Sequence, residues 1–305
     1  MSITESSVAT EELVAEEVSL PRKKRRWRGP EATGASPART ILALVVTAIF
    51  IYPIYLVVLN AFKTQEDIYK YPGVPVMPLT LQNFQDVFTR PDGLFWNGLI
   101  NSVQITVIGT LVATIIAAMM AHYMVRSSSW FAKLLWVTIP LGLMIPAATT
   151  LLPLLRILDT FGMIGSIFGL IIVYIAGNLP FGVLVFSGFM RSIPKEIEEA
   201  AAIDGAGPIR TFWAIVFPLL RPAGASVIIF LAVGIWNDFI TPLIILGPGS
   251  GTTVTVGMYR QISQYVSNYG AVFAYMVLAT IPIVILFIFL QKYFVKGLVS
   301  GASKG

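Results

Sequence analysis

The stretch RSIPKEIEEAAAIDGAGPIRTFWAIVFPLLRPA, from Arg191 to Ala223, is the least membrane-like part of the chain after its N-terminal tail. It reads as helix, turn, helix. Pro194 suits a first helical position, and Glu196, Glu198 and Glu199 fall in the early turns, where carboxylates oppose the positive end of the helix dipole. Ala200, Ala201 and Ala202 add helix propensity with very little bulk. Gly205 ends the helix in a left-handed turn, and Pro208 opens a second short helix that presents Phe212, Ile215 and Val216 as an apolar face. Small residues on one face let a partner approach closely, and an exposed carboxylate pair gives that contact a register. Taken alone, these residues describe either a docking knob or an ordinary hairpin with a solvated charged face.

The sequence on either side is apolar. Of the 305 residues 56% are hydrophobic and 12% charged, with mean hydropathy +0.78, which is too apolar for an ordinary soluble domain. Six stretches are long enough to cross a hydrocarbon core of roughly 30 Å: Ile41 to Phe62, Gly98 to Val125, Leu134 to Leu155, Ile164 to Phe189, Ala223 to Leu246 and Ala271 to Phe294. Sheet edges cannot be satisfied in lipid, so the expectation is an all-α integral membrane protein with six transmembrane helices. Lys63, Lys70, Arg90, Arg156 and Arg260 fall on one side of the membrane and the rest of the 21 basic residues on the other, which predicts that both termini are cytoplasmic. Three spans carry helix breakers: Pro53 in the first, Pro140, Pro146 and Pro153 in the third, and Pro180 among Gly165, Gly169, Gly177 and Gly182 in the fourth. Interrupted helices often line a pathway, although Gly and Pro are also simply commoner in membrane helices.

Residues 1–38 read as a disordered cytoplasmic tail, acidic to Leu20 and then basic from Arg22 to Arg28. A basic cluster just before a span is a membrane anchor rather than a nucleic-acid patch, and no cleavage site marks a signal peptide. Residues 39–305 read as a six-helix transmembrane domain, with a core at about 97–294 and the loop at 192–222 on the cytoplasmic side. The chain has no Cys and a single His, His122, which excludes thiolate metal sites and multi-His metal sites; His122, near the end of the second span, reads as an interfacial anchor. The run from Gly247 to Thr253 lacks the Lys of a phosphate loop and no complete GxxxxGK(S/T) pattern occurs elsewhere, so if transport is driven by ATP the nucleotide site is expected on another chain. Asp238 is the one acidic residue well inside an assigned span and must face the protein interior. With Trp236 and Asn237 it is either a polar, aromatic patch on a substrate path or a structural contact that orients its helix. The stretches from Lys63 to Asn97 and from Gly247 to Gly270 are open to a soluble partner but carry no sharp motif.

Glu199, Ala200 and Ala201, with Gly205, Ile215 and Pro218 at the spacing they have here, resemble the EAA signature of binding-protein-dependent ABC importer permeases. Phe217 stands where that family usually has Leu, and Asp204 and Ala206 fit the DGA form of the motif. From about Ile41 to Gly305 the chain is similar to the carbohydrate type of these permeases, on Asn101 and Ser102 opening the second span, the proline-bearing third span, Trp236 to Asp238, and the ending KYFVKGLVSGASKG. The resemblance implies a type I ABC importer permease fold and a non-catalytic, multi-pass subunit of a bacterial inner membrane, forming half of a translocation pathway for a sugar or oligosaccharide. It further implies a second permease subunit, two ATPase subunits that hold ATP and Mg, and an extracytoplasmic binding protein, with no cofactor on this chain. Glu199, Ala200, Ala201, Asp204, Gly205, Ile215 and Pro218 are then the ATPase-docking residues. Import of glycerol phosphate or a polyol by the same machinery, or ion-coupled secondary transport, are the alternatives.

Overall fold

A computed structural model describes residues 37–247, 251–264 and 268–302. The acidic tail, the basic run, Pro248 to Ser250 of the glycine-rich turn and the last three residues lie outside the described residues. The chain divides into two compact units, 1–52 and 53–305. The described part of the first, residues 37–52, belongs to helix α1 (Pro37–Ala61).

In the second unit, α2 (Gln65–Lys70) and α3 (Gln82–Phe88) follow the end of α1. Lys63 organises this segment: its side chain is buried, and its Nζ donates to the Tyr71 carbonyl at 2.7 Å. Asn83 Nδ2 donates to the carbonyls of Ala61 and Lys63, which folds α3 back onto the end of α1.

The bundle is built on α4 (Leu94–Arg126) and α7 (Ile167–Met190). Small residues make their close approach possible, since a methyl group added at Gly182 would lie 2.7 Å from the Ala117 Cβ. Ala113, Ala117, Ala118 and Ala121 of α4 pack with Val183, Phe186 and Met190 of α7 in one core. Between them in sequence lie α5 (Trp130–Leu141) and α6 (Ala147–Thr160). The third stretch is therefore not one helix. Gly142 to Pro146 interrupt it, and neither piece reaches the length of about 20 residues that a single crossing needs. The break packs against another breaker, because a side chain at Gly142 would meet the Pro180 ring at 2.8 Å. The fourth helix begins at Ile167, after Gly165 in a left-handed turn, so Gly165 lies outside it.

The loop forms α8 (Glu196–Ile203), α9 (Pro208–Thr211), a π-helical turn (Phe212–Val216) and α10 (Phe217–Leu219). A 75° bend separates it from α11 (Arg221–Asn237). The fifth stretch is also broken: Asp238 has extended backbone, and α12 (Ile240–Leu246) starts after it. Next come α13 (Val254–Gln264) and α14 (Tyr269–Ala302). Asn101 and Ser102 lie two turns inside α4 rather than opening it, and they hold the segment before α13: Asn101 Nδ2 donates to the Thr252 carbonyl, and Ser102 Oγ accepts from Val254 N. Among the described residues there are helices and no strands. Four of those helices, α1, α4, α7 and α14, are each long and apolar enough to cross a membrane, and the bent pair ending in α11 would make a fifth.

Candidate functional site: an exposed loop and a half-open pocket

Helix α8 begins at Glu196 rather than Pro194. The Lys195 carbonyl accepts from the amides of Glu198 and Glu199, which starts the first turn one residue beyond the proline. The other end follows its sequence. Gly205 has φ +80°, its amide bonds the Ala202 carbonyl, and the Ala206 amide bonds that of Ala201, which together close the helix in a Schellman motif. No atom lies within 4 Å of where a Gly205 Cβ would stand, so the backbone angle and not crowding selects glycine.

Every residue of α8 except Glu198 and Ala201 is exposed, Ile197 and Ala202 included. Glu196, Glu199, Ala200 and Ile203 are exposed at helical spacing, and Asp204 and Gly205 continue that surface. Ile203 is 86% exposed and, across the turn, Ile209 is 76% exposed, an unusual display for two isoleucines. Ala201 is turned inward and is only 6% exposed. Ile215 and Pro218 are half-buried beyond the turn, apart from this exposed tip. Phe212 and Val216 are buried, as the apolar face requires.

Glu198 also faces inward. Its Oε1 accepts from Arg126 Nε at 2.7 Å and its Oε2 pairs with His122 Nε2 at 2.8 Å. Arg126 Nη2 donates to the Ile193 carbonyl at 2.9 Å, so the end of α4 holds both α8 and the chain leaving α7. The His122 ring packs 5.3 Å from the Phe212 ring. Burial pushes the Glu198 carboxyl up, but the hydrogen bonds and charges of His122 and Arg126 outweigh it and hold the group below the usual carboxylate range. Sequence reasoning gave these three residues no joint role. The available signal was His122 and Arg126 at i, i+4, two basic groups on one face at the end of a span.

The other site is a cavity of about 610 Å³ between the broken third stretch, α7 and the broken fifth. Thr150 and Leu154 of α6, Tyr174, Gly177 and Asn178 of α7, and Asn237 and Asp238 line it. Asp238 Oδ2 accepts from Tyr174 OH at 3.0 Å and Oδ1 from Thr241 N at 3.3 Å, while its carbonyl accepts from Thr255 Oγ1 at 2.7 Å. Asp238 thus caps the start of α12 and ties α7 and α13 to the break, as well as facing the cavity. Asn237 is exposed and Nδ2 donates to the Val233 carbonyl. Trp236 lies apart from these two. It is 6% exposed, packs with Ala271, Ala274 and Tyr275 of α14, and directs its indole N–H to the Ala279 carbonyl at 3.3 Å. Trp236 and Asn237, consecutive in α11, point about 100° apart, and Asp238 follows the end of the helix.

Residues 109–300 match the model of a family described as binding-protein-dependent transport system inner membrane component. The chain is similar to the melibiose/raffinose/stachyose import permease protein MelC of Bacillus subtilis, with 34% identity over 267 residues, 87% of this chain and 96% of that protein. The multiple sugar-binding transport system permease protein MsmG of Streptococcus mutans is 30% identical over 269 residues, covering 87% and 95%. The glucose import system permease protein GlcU of Saccharolobus solfataricus is 30% identical over 271 residues, covering 86% and 93%. Among solved structures, a chain of a bacterial ABC transporter involved in the import of the acidic polysaccharide alginate shares the fold, with TM-score 0.74 at 21% identity over 84% of this chain and 95% of that one.

Proposed function

The chain belongs to the family of binding-protein-dependent transport system inner membrane components, and from that membership we propose that it is one of two permease subunits of an ATP-driven importer of a sugar or oligosaccharide. It forms half of the pathway and docks onto a separate ATPase through the loop at 192–222. The observation that carries the docking assignment is the exposed face of α8, where Glu199, Ala200, Asp204 and Gly205 stand with Ile203 and Ile209, apolar side chains that water does not favour. Ala201, which is buried, serves the same contact indirectly, by supporting the helix.

The chain crosses the inner membrane six times, with α5 and α6 making the third crossing and α11 and α12 the fifth, and both termini are cytoplasmic. The tail at 1–38 precedes this domain. ATP and Mg bind the ATPase pair, an extracytoplasmic protein delivers the solute, and this chain does no chemistry of its own. The cavity at Asp238 is part of the solute path: hydroxyl, amide and carboxylate groups on otherwise apolar walls suit a polyhydroxylated, uncharged ligand. The sugar names of MelC, MsmG and GlcU favour that cargo over glycerol phosphate, a polyol or an ion-coupled solute.

Co-purification with the ATPase, together with uptake of labelled sugars in cells carrying Gly205→Arg, tests the reading. A chain that inserts normally but loses both its ATPase and uptake is expected. Retention of both would remove the docking assignment, and binding assays on the cognate extracytoplasmic protein would identify the cargo.

A further inference from the structure

We propose that Glu198 is the joint through which the docking helix drives α4, so that Arg126 and His122 act as positioning residues for coupling. This rests on the ATPase-docking reading above. Helix α8 has eight residues, too few to hold its own shape in water, and chain links alone would let it swing when a partner moves it. Two of its residues are not exposed: Ala201, which makes no side-chain hydrogen bond, and Glu198, which grips α4.

The grip resists both translation and rotation. Each carboxylate oxygen meets a different group, Oε1 the Arg126 Nε at 2.7 Å and Oε2 the His122 Nε2 at 2.8 Å on successive turns of α4, and the same guanidinium fixes the Ile193 carbonyl where the chain leaves α7. The three side chains are 15%, 17% and 22% exposed, so water screens the pair less than it screens a surface ion pair. Glu196 and Glu199, on the opposite stripe, are exposed and belong to the partner's side of the helix. Adjacent carboxylates thereby divide the work. Glu199 faces outward toward the partner, and Glu198 passes the displacement to a 33-residue helix that packs along the length of α7.

The test uses the full complex in proteoliposomes, with ATP hydrolysis and sugar uptake measured together. Glu198→Ala is expected to keep the ATPase bound while uptake per ATP hydrolysed falls about tenfold, the effect of losing a charge-assisted contact. The chain has no cysteine, which permits a second variant, Arg126→Cys with Glu198→Cys, in partners also free of reactive thiols. Unbridged, this variant should be uncoupled. Bridged by a short bis-methanethiosulfonate reagent, it should regain coupling and lose it again on reduction, a reversal within one folded protein. Unchanged uptake per ATP in Glu198→Ala, or a bridged pair as uncoupled as the unbridged one, would overturn the proposal. An ATPase that fails to co-purify even with the unaltered chain would instead overturn the docking reading, and the joint with it.

Discussion

Glu198 and Asp238 are both carboxylates held by a side chain from another helix, but their partners differ in kind. Glu198 meets a guanidinium and an imidazole, one on each oxygen. Asp238 meets one phenol and one backbone amide, at 3.0 and 3.3 Å, and faces a cavity of about 610 Å³. A carboxylate oxygen has two lone pairs, so Asp238 keeps acceptor capacity on the cavity side, whereas no cavity adjoins Glu198 among those described. The first is arranged as a mechanical contact and the second as a contact with room for a ligand. The two sites share a frame, since α4 supplies the clasp and its packed neighbour α7 supplies Tyr174.

The largest effect should come from Glu198→Leu, which leaves Arg126 and His122 facing an apolar side chain; a loss of about 1.5–3 kcal/mol in thermal or denaturant unfolding of the detergent-solubilised chain is expected, along with loss of coupling. Asp238→Leu in the same assay tests whether the contrast is real, because its donors there, a phenol and a backbone amide, are uncharged, so stability should fall less than for Glu198→Leu, while uptake falls more than stability does. Ala201→Leu should destabilise by about 1–3 kcal/mol through overpacking of the inward face. Gly205→Ala should cost about 1 kcal/mol from its left-handed backbone alone, since the space around it is open.

The smallest effect is in pH. The Glu198 carboxyl is lowered in the folded chain, so its contribution is complete above the ordinary carboxylate value of 4.5 and disappears as pH falls through the lower folded value. Contact of α8 with α4, followed by a spectroscopic label on the loop, should therefore persist at pH 5 and loosen only in stronger acid. Loosening above pH 5 would show that the carboxylate is not held by Arg126 and His122.

Much of the loop was legible because its residues carry local geometry. Gly205 and Pro208 act on their own backbones, so the turn between α8 and α9 follows from two residue types. Pro194 misled by two positions, since Lys195 supplies the first accepting carbonyl. The breaks in the third and fifth stretches were less legible, because apolar composition continues through both. Asp238, with Pro242 shortly after it, was the signal in the fifth, and it reads as a break only once Tyr174, Thr241 and Thr255 are seen to satisfy it. The Glu198 clasp joins residues 76 and 72 positions apart, and no local pattern fixes such a pairing. Trp236 stands apart from Asn237 because neighbours on a helix point about 100° apart, which a motif written as consecutive letters does not show.

The exposed face of α8 as an ATPase dock is the central claim, and one labelling measurement addresses it. Because the chain has no cysteine, Ala200→Cys supplies a single thiol on the outward stripe. Its maleimide labelling rate in membranes, with and without the ATPase, should be strongly slowed by the ATPase. A rate that stays the same while the ATPase co-purifies with the chain would place the contact elsewhere and contradict the account.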